Sequence, residues 1–479
     1  ILIQQSCKLI KLSNVYLYGY SLNIMLNLDP DYHLRYNKSN VNNYIILRNM
    51  VMGAKVINRS TKSFKLEIEI PYTANMLDAE ELIQKSLNDA GTLATQEAMS
   101  SHDTDGSPII VGNCKFTSKG QEEKRFQTPY GEIKVKRHVY QSSQGGKVYI
   151  PLDINCRVIN TSTPKFAKMI SSKYACDAAP GVQRDLLENH NRKVALSFIK
   201  NTTDAIGVIA EAKEESWSYE LPKFHKPVKS ISLGLDGTCL NMMEDGWREA
   251  MCGTIAFFDR NGDRLHTIYT SASPEYGKSK FYKKFQQEAV KIKNKYSKTP
   301  IVGLADGAKC NWEFLKPLSN HLTIDFWHVA EYLSKAAYAM YPKDSQSDER
   351  DNWLEDSCHK LKHKVGSATR ILNELLQYKQ QNKLNKDNST KLQTTITYLI
   401  NNKDKMHYHK NVAANMPIGS GITESACKTI VKQRMCKGAA RWKNEGATTV
   451  LTLRSLHATN NRWEQFWKKY SQYGYQQAA

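Results

Sequence analysis

Apolar residues recur along the chain with two different periods, and each change of period marks a predicted element. Alternation of apolar and polar residues over residues 63–71, and again over residues 128–141, predicts strands with one solvated face. A helical segment is predicted between them, from residue 79 to about residue 99. Residues 50–150 are therefore predicted to form an N-terminal α+β region.

Helical patterns dominate the next region, residues 151–226. A Thr-Pro start signal opens a helix at residue 163, and Ala-Pro-Gly at residues 179–181 breaks it. A short helix over residues 182–188 and a second helix over residues 192–208 then flank a polar turn. Two interpretations stay open. In a helix-turn-helix the second helix would enter a DNA major groove, whereas in an ordinary helical bundle it would be buried.

Short apolar runs characterise residues 227–326 and predict a sheet. They alternate with helical segments in the order β-β-β-α-β-α-β, an antiparallel hairpin followed by right-handed crossovers. The predicted strands cover residues 230–237, 252–258, 265–270, 301–305 and 322–326, and the predicted helices cover residues 278–296 and 311–318. The first of these helices carries an apolar face made by Phe281, Phe285, Ala289 and Ile292. The predicted fold class is therefore α/β, with an RNase H-like mixed sheet.

A long, highly charged stretch over residues 327–410 predicts a helical insertion that interrupts this core. The core is expected to resume in residues 411–479. There the motif PIGSGITES, residues 417–425, predicts a turn followed by a helix that carries Glu424. Aromatic residues further on predict a buried face of a C-terminal helix.

Positive charge is in clear excess. The chain has 67 Lys and Arg against 47 Asp and Glu, a formal net charge of +20. Such an excess favours a partner that carries phosphates, such as double-stranded DNA, over a small-molecule substrate. The ten cysteines form no CxxC pair, which is typical of reduced intracellular thiols. Since no apolar run reaches the ~18–20 residues that span a membrane, we expect a cytoplasmic, nucleoid-associated protein without a membrane partner.

The first 49 residues differ from the rest of the chain. They are rich in Asn, Ile, Leu and Tyr and show no sustained helical or strand period. This composition is typical of translated AT-rich DNA. Residues 1–49 are therefore predicted to be a non-native upstream extension, with the true start at Met50 or Met52.

Three acidic residues that are distant in sequence fall where this fold would bring them together. Asp236 lies on the first strand, Asp306 follows the fourth, and these strands are neighbours at the centre of the sheet; Glu424 would close the site from a later helix. Phosphodiester chemistry needs a metal-activated nucleophile and a second metal at the leaving oxygen, and Mg²⁺ prefers oxygen ligands. Each acid also has an ordinary interpretation, an Asp-Gly turn or a Glu424–Lys428 ion pair on a solvated helix.

Several long motifs resemble one known family. GLDGT, EDGWREAMCGTIAFFDRNGDRLHTIY, GLADGAKCNWEFL, DFWHVAEYL and PIGSGITESACKTIVKQRMCKGAARW are similar to segments of the ISKra-type bacterial insertion-sequence transposases, over about residues 128–467. The resemblance implies an RNase H-like DDE transposase whose triad matches Asp236, Asp306 and Glu424. It implies that these residues are both catalytic and ligands of two Mg²⁺ (or Mn²⁺) ions. It further implies a homo-oligomer in a synaptic complex with DNA.

Asp325 and His328 form a D-x-x-H pair at the end of the fifth predicted strand. The pair is similar to the C/D-x-x-H signature of Mutator-like and hAT transposases. In that interpretation His328 helps to position the scissile phosphate or DNA. In the alternative interpretation Asp325 is a helix N-cap and His328 is a partly buried structural residue.

A basic segment follows Glu424. Residues 428–443 contain six basic side chains and no acidic one, and at α-helical spacing Lys428 and Lys432 would share the face of Glu424. We predict phosphate contacts for this segment rather than a merely solvated face, and stacking of Trp442 on a base. The predicted DNA-binding residues are Lys428, Lys432, Arg434, Lys437, Arg441, Trp442 and Lys443.

The sequence thus predicts a DDE transposase that cleaves DNA at the ends of an insertion sequence and joins the freed 3′-OH to a target strand. Two alternatives stay open. An RNase H-like nuclease, such as a junction resolvase, would share the acids but would not need the long insertion. A non-catalytic DNA-binding protein derived from a transposase would not need the intact triad.

Overall fold

The computed structural model describes residues 54–214, 216–275 and 278–475. The predicted extension at residues 1–49 lies outside them. Within the described part the chain is a mixed α/β protein with several sheets. No helix in that part combines the length and the apolar character needed to cross a lipid bilayer.

The elements are numbered in chain order. The strands are β1 (Lys55–Arg59), β2 (Phe64–Glu67), β3 (Ile109–Val111), β4 (Cys114–Gln127), β5 (Glu132–Ser142), β6 (Gly145–Tyr149), β7 (Ser230–Met242), β8 (Gly246–Phe258), β9 (Arg264–Ala272), β10 (Ile301–Ala305) and β11 (His321–Ile324). The helices are α1 (Met76–Ser100), α2 (Pro151–Asn155), α3 (Pro164–Cys176), α4 (Ala179–His190), α5 (Leu196–Ala212), α6 (Ser279–Lys295), α7 (Lys309–Leu315), α8 (Phe326–Met340), α9 (Ser347–His363), α10 (Ser367–Gln381), α11 (Lys386–Asn402), α12 (Tyr408–Ala413), α13 (Gly421–Ala426), α14 (Asn444–Ala458) and α15 (Arg462–Tyr473).

The N-terminal region is α+β, as predicted. Strands β3 to β6 form an antiparallel sheet in sequential order. The alternation along β5 buries Ile133, Val135 and Val139 and leaves Lys134 and Lys136 exposed, but Arg137 is also buried, where it pairs with Asp153. Ile133 and Val135 share a core with Met99 of α1 and Phe126 of β4. The strand predicted over residues 63–71 corresponds to β2, Phe64–Glu67, and is shorter than expected.

The second region is helical, but its boundaries differ from the prediction. Pro180 does not break a helix: it lies in the first turn of α4, where proline costs no hydrogen bond. Helix α5 starts at Leu196 rather than at residue 192, because the guanidinium of Arg192 is buried and donates to Thr128 O at 3.1 Å. One face of α5 is buried, and Gly207 on that face packs directly on Thr449 of α14. This burial favours the helical-bundle interpretation over a helix that reads a DNA groove.

The central sheet has the strand order β11-β10-β7-β8-β9. Strand β7 pairs in parallel with β10 and antiparallel with β8, so the predicted order of strands and helices is observed. One face carries Ile231, Leu233 and Leu235 and packs against α6. The predicted face of α6 is buried as expected, through Phe281, Phe285, Ala289 and Ile292.

The opposite face of the sheet is covered by the C-terminal segment. Leu240 of β7 and Cys252 of β8 share a core with Ile430, Val431 and Val450. Beyond them, the predicted aromatic residues of α15 are buried, with Phe466 fully so. The C-terminal segment therefore completes the core, as predicted for residues 411–479.

The insertion is helical, as predicted for residues 327–410, and consists of α8 to α12. It shares one apolar core with the sheet, through residues such as Leu333, Leu375 and Leu399. The strand predicted over residues 322–326 ends earlier, at Ile324, because Asp325 caps α8 and Phe326 is its first residue. The insertion therefore begins directly at the sheet edge.

Candidate active site at the centre of the sheet

Asp236 and Asp306 lie at the same level of two adjacent parallel strands. The register pairs Ile301 with Ile231 and Leu304 with Gly234. Asp236 lies two residues after Gly234, and Asp306 lies two residues after Leu304. Because side chains alternate along a strand, the two acids belong to the same face of the sheet as Gly234. The register therefore places the two acids at corresponding positions of neighbouring strands.

Glu424 reaches this face through a close contact between α13 and the sheet. The hydroxyl groups of Thr423 and Thr254 form a buried hydrogen bond of 2.6 Å. A Cβ on Gly234 would lie 2.0 Å from Thr423 Oγ1, so only glycine permits this approach. Glu424 follows Thr423 directly, and Asp236 follows two residues after Gly234. The contact between Thr423 and Gly234 therefore brings Glu424 towards Asp236.

The two other acids both affect the pKa of Asp236. Burial raises the pKa of Asp236, and the nearby carboxylates of Asp306 and Glu424 raise it as well. The backbone N–H of Gly237, which donates to Asp236 Oδ1 at 2.7 Å, and the Cys427 thiol act in the opposite direction. The structure thus places like charges together where their repulsion is not screened by full hydration.

Glu424 is held at one oxygen only. Ser420 Oγ donates to its Oε1 at 2.9 Å, and His328 Nε2 lies 3.9 Å from the same atom. Within the described residues its second oxygen has no hydrogen-bond partner, and the side chain is 36% exposed. Hydrogen bonds within the described residues therefore fix only one of the two oxygens of Glu424.

Asp325 is a structural carboxylate. It is fully buried, and its Oδ1 accepts the backbone N–H of His328 at 2.8 Å, which confirms the N-cap interpretation. Its Oδ2 accepts the backbone N–H of Ser420. The next residue, Phe326, donates its N–H to Ile418 O at 3.0 Å. Asp325 therefore ties the end of β11 to the loop that leads into α13.

One group of potential metal ligands meets at short range within the described residues: atoms of Asp325, His328 and Glu424 lie within 4.8 Å of one another. Asp236 and Asp306 do not belong to this group. Both Asp325 oxygens already accept backbone N–H groups, so a cation would have to compete for them. His328 and Glu424 are the available members.

The basic segment after Glu424 departs from the prediction in its geometry. A π-helical turn, Cys427–Lys432, follows α13, so Lys428 and Lys432 do not repeat at α-helical spacing from Glu424. Arg454 stabilises this turn by donating to the carbonyls of Thr429 and Ile430, and it also donates to Ala175 O. π-Helical turns often occur at functional sites.

Two of the predicted DNA-binding residues have packing roles. Arg434 is 6% exposed; it donates to Tyr174 O at 3.2 Å and lies against the rings of Tyr174 and Trp442. Trp442 is half-buried, and its indole N–H donates to Met435 O at 2.8 Å. A buried guanidinium is not free for phosphate contacts, which corrects the prediction for Arg434, whereas base stacking by the partly exposed Trp442 ring stays a prediction.

The other five predicted contacts remain at the surface. They are exposed and form no ion pair with any acidic residue of the described part of the chain: Lys428, Lys432, Lys437, Arg441 and Lys443. Their charges are therefore available to a polyanion.

Sequence reasoning missed a cavity that adjoins Asp306. Its wall includes Trp312, Tyr332, Tyr398 and Lys405, most of which belong to the insertion. No local motif marks these residues, because they meet only when the insertion packs beside the sheet.

Comparison with known proteins adds no family. No protein-family model matches the chain, and no curated protein matches it. The ISKra-type resemblance of its motifs stays a prediction.

Proposed function

We propose that the protein is a DDE transposase, which cleaves DNA at the ends of an insertion sequence and transfers the freed strand to a target. The observation that carries the proposal is the convergence of three acids that are far apart in sequence: Asp306 and Glu424 both act electrostatically on Asp236. The sheet order β11-β10-β7-β8-β9, interrupted by a helical insertion before Glu424, supports an RNase H-like core.

The donor set fits divalent cations with a preference for oxygen, Mg²⁺ or Mn²⁺. Burial and, to a smaller extent, the carboxylates of Asp306 and Glu424 raise the pKa of Asp236, and a bound cation would favour its charged form. In the proposal Asp236, Asp306 and Glu424 hold two such ions. When bound, the ions would make the attacking hydroxyl more acidic and stabilise the leaving oxygen.

The remaining residues orient the acids and the substrate. Ser420 fixes one oxygen of Glu424, and Asp325 fixes the loop that carries Ser420. His328 lies 3.9 Å from Glu424 and is partly exposed, so it can donate a hydrogen bond to a phosphate oxygen at the site. This role keeps His328 as a positioning residue, as the sequence predicted.

The exposed basic residues supply the path for the DNA backbone. Lys428 and Lys432 lie on the π-helical turn that directly follows the helix of Glu424, and Lys437, Arg441 and Lys443 continue from it. Neutralising phosphates releases counterions, so binding through these residues should weaken steeply with salt. Cutting two element ends together would require a homo-oligomer in a synaptic complex.

The proposal is tested by incubating the full chain with DNA that carries both ends of its element, in the presence of Mg²⁺, and mapping cut and joined strands. Asp306→Ala should abolish both products. Asp245→Asn removes an exposed carboxylate in the β7–β8 turn and is the matched control, which should leave them unchanged.

Two results would contradict the proposal. Equal products from the parent and Asp306→Ala would point to a DNA-binding protein without catalysis of its own. Cleavage of branched DNA without any joining of ends would point to a resolvase.

A further inference from the structure

A cavity of about 1170 Å³ opens beside Asp306. Its walls come from the loop and helix α7 after β10 and from α8, α10 and α11 of the insertion. Small-molecule pockets usually measure about 300–1,000 Å³, so this cavity can hold a larger ligand. Because Asp306 is part of the wall, the cavity adjoins the acidic triad.

Aromatic rings form the part of the wall nearest the acids. Tyr332 and Tyr398 stack with ring centroids 3.8 Å apart and an angle of 14° between the rings. A Cβ on Gly307 would lie 3.8 Å from the Tyr398 ring, so this ring lies beside the residue that follows Asp306. Trp312 of α7 also lines the cavity. The partly exposed tyrosine rings are the candidate platforms for base stacking, because the Trp312 ring is only 8% exposed and Lys405 Nζ lies 5.6 Å from its centroid.

Two buried polar atoms of this wall, Trp312 Nε1 and Tyr398 Oη, have no hydrogen-bond partner among the described residues. Trp312 is only 8% exposed. Burial raises the pKa of Tyr398, and the neighbouring Tyr332 and Asp325 contribute in the same direction, so its hydroxyl keeps its proton. Both atoms lie beneath the accessible surface of the wall, so a ligand could pair with them only if the wall moved.

The opposite wall is mostly neutral and polar. One face of α11 presents exposed hydroxyl and amide side chains, from Thr390, Gln393, Thr394, Thr397 and Asn401. Lys309, Lys379 and Lys405 also line the cavity, against two acids, Asp306 and Glu313. Phosphates are usually contacted by basic side chains, whereas base edges are recognised by hydrogen-bonding donors and acceptors. The lining therefore suits bases better than a duplex backbone.

We propose that this cavity binds unpaired nucleotides of the DNA strand whose phosphate is held at the triad, with bases stacked on the aromatic wall and their edges against α11. The inference rests on the proposed function. In a duplex the pairing edges of the bases are covered by the other strand, so only an unpaired segment can present both its faces and its edges to the cavity.

The test compares the full chain on two DNAs, a blunt duplex and the same duplex with a single-stranded tail, by fluorescence anisotropy without divalent ions so that no strand is cut. Stacking of even one base predicts that the tailed DNA binds about tenfold more tightly. Lys405→Gln, and a combined Thr394→Ala and Asn401→Ala variant, should lose most of this preference but still bind the blunt duplex. Lys391→Gln removes the same charge as Lys405→Gln, but from a part of α11 outside the cavity, and should keep the preference for the tailed DNA.

Tyr398→Phe retains the ring and removes only a hydroxyl that lies beneath the surface, so this variant should keep the preference for the tailed DNA. A 2-aminopurine in the tail should change its emission on binding to the parent. A free deoxynucleoside monophosphate should compete poorly, because it lacks the neighbouring strand; efficient competition would overturn the strand proposal.

The outcomes separate this inference from the proposed function. Equal affinity for tailed and blunt DNA, with cleavage intact, would overturn the cavity proposal alone. No binding to either DNA would overturn the proposed function and the cavity proposal with it.

Discussion

The contact between Gly234 and Thr423 holds the Glu424 helix against the sheet, and adding one methyl group at Gly234 tests it. In Gly234→Ala the new Cβ would lie 2.0 Å from Thr423 Oγ1 and 2.8 Å from Thr254 Oγ1. Ordinary contacts of a Cβ lie at 3.4 Å or more, so α13 would have to retreat by about 1.4 Å. Overpacking of a well-packed site costs about 1–3 kcal/mol, and loss of the Thr254–Thr423 hydrogen bond about 0.5–1.5 kcal/mol.

We therefore expect Gly234→Ala to lower the free energy of unfolding by about 2–4 kcal/mol, measured by urea denaturation. A displacement near 1 Å at a catalytic group reduces the rate on the order of 100-fold, so strand cleavage should fall by about that factor. Gly421→Ala is the matched control, since a Cβ there meets no atom within 4 Å. Adding Thr423→Ala to Gly234→Ala should recover part of the stability. Unchanged stability and cleavage in Gly234→Ala would refute the docking of α13.

Three further predictions concern single side chains. Burial and the neighbouring carboxylates raise the pKa of Asp236, so the folded state loses stability as the pH rises from the ordinary pKa of 3.8 through the raised pKa. The metal-free Asp236→Asn variant should therefore unfold at a higher temperature than the parent at pH 7, and the difference in melting temperature should narrow in acid. An equal or lower melting temperature of the variant at pH 7 would contradict this. Arg454→Met leaves three carbonyls without their donor and should cost about 3 kcal/mol of unfolding free energy, whereas a loss below about 0.5 kcal/mol would show that the π-helical turn does not depend on Arg454. Asp325→Asn should lower the free energy of unfolding by about 1–3 kcal/mol, because an amide nitrogen cannot accept the hydrogen bond from the Ser420 N–H. Its affinity for Mn²⁺ should stay unchanged, whereas loss of Mn²⁺ binding in a folded variant would make Asp325 a ligand.

The sheet and the buried face of α6 followed from sequence because apolar periodicity is a local signal. Strand β10 was predicted with its observed bounds, and the four apolar positions of α6 are buried. Strand β4, Cys114–Gln127, was not predicted, since most of its residues are exposed and it carries little apolar alternation. Helix α4 was predicted too short because proline in a first helical turn resembles a break between helices.

The acids of the site could be predicted from the fold, whereas their surroundings could not. Asp236, Asp306 and Glu424 follow from the order of strands and the turn before α13. The burial of Arg434 depends on Tyr174, which is distant in sequence, and the π-helical turn depends on Arg454. Such tertiary contacts leave no periodic trace in the sequence, and neither do the walls of the cavity beside Asp306.

The arrangement of the acids leaves two possible sets of cation ligands. One set is Asp236, Asp306 and Glu424; the other is the short-range group of Glu424 with His328 and Asp325. Glu424 belongs to both, so only the other members can distinguish them.

Calorimetric titration of the full chain with Mn²⁺ distinguishes them most directly. The proposed triad predicts that Asp236→Asn and Asp306→Asn each weaken binding by at least about tenfold, while His328→Ala changes it little. Full Mn²⁺ affinity in both aspartate variants, together with loss of binding in His328→Ala, would contradict the triad as the cation site.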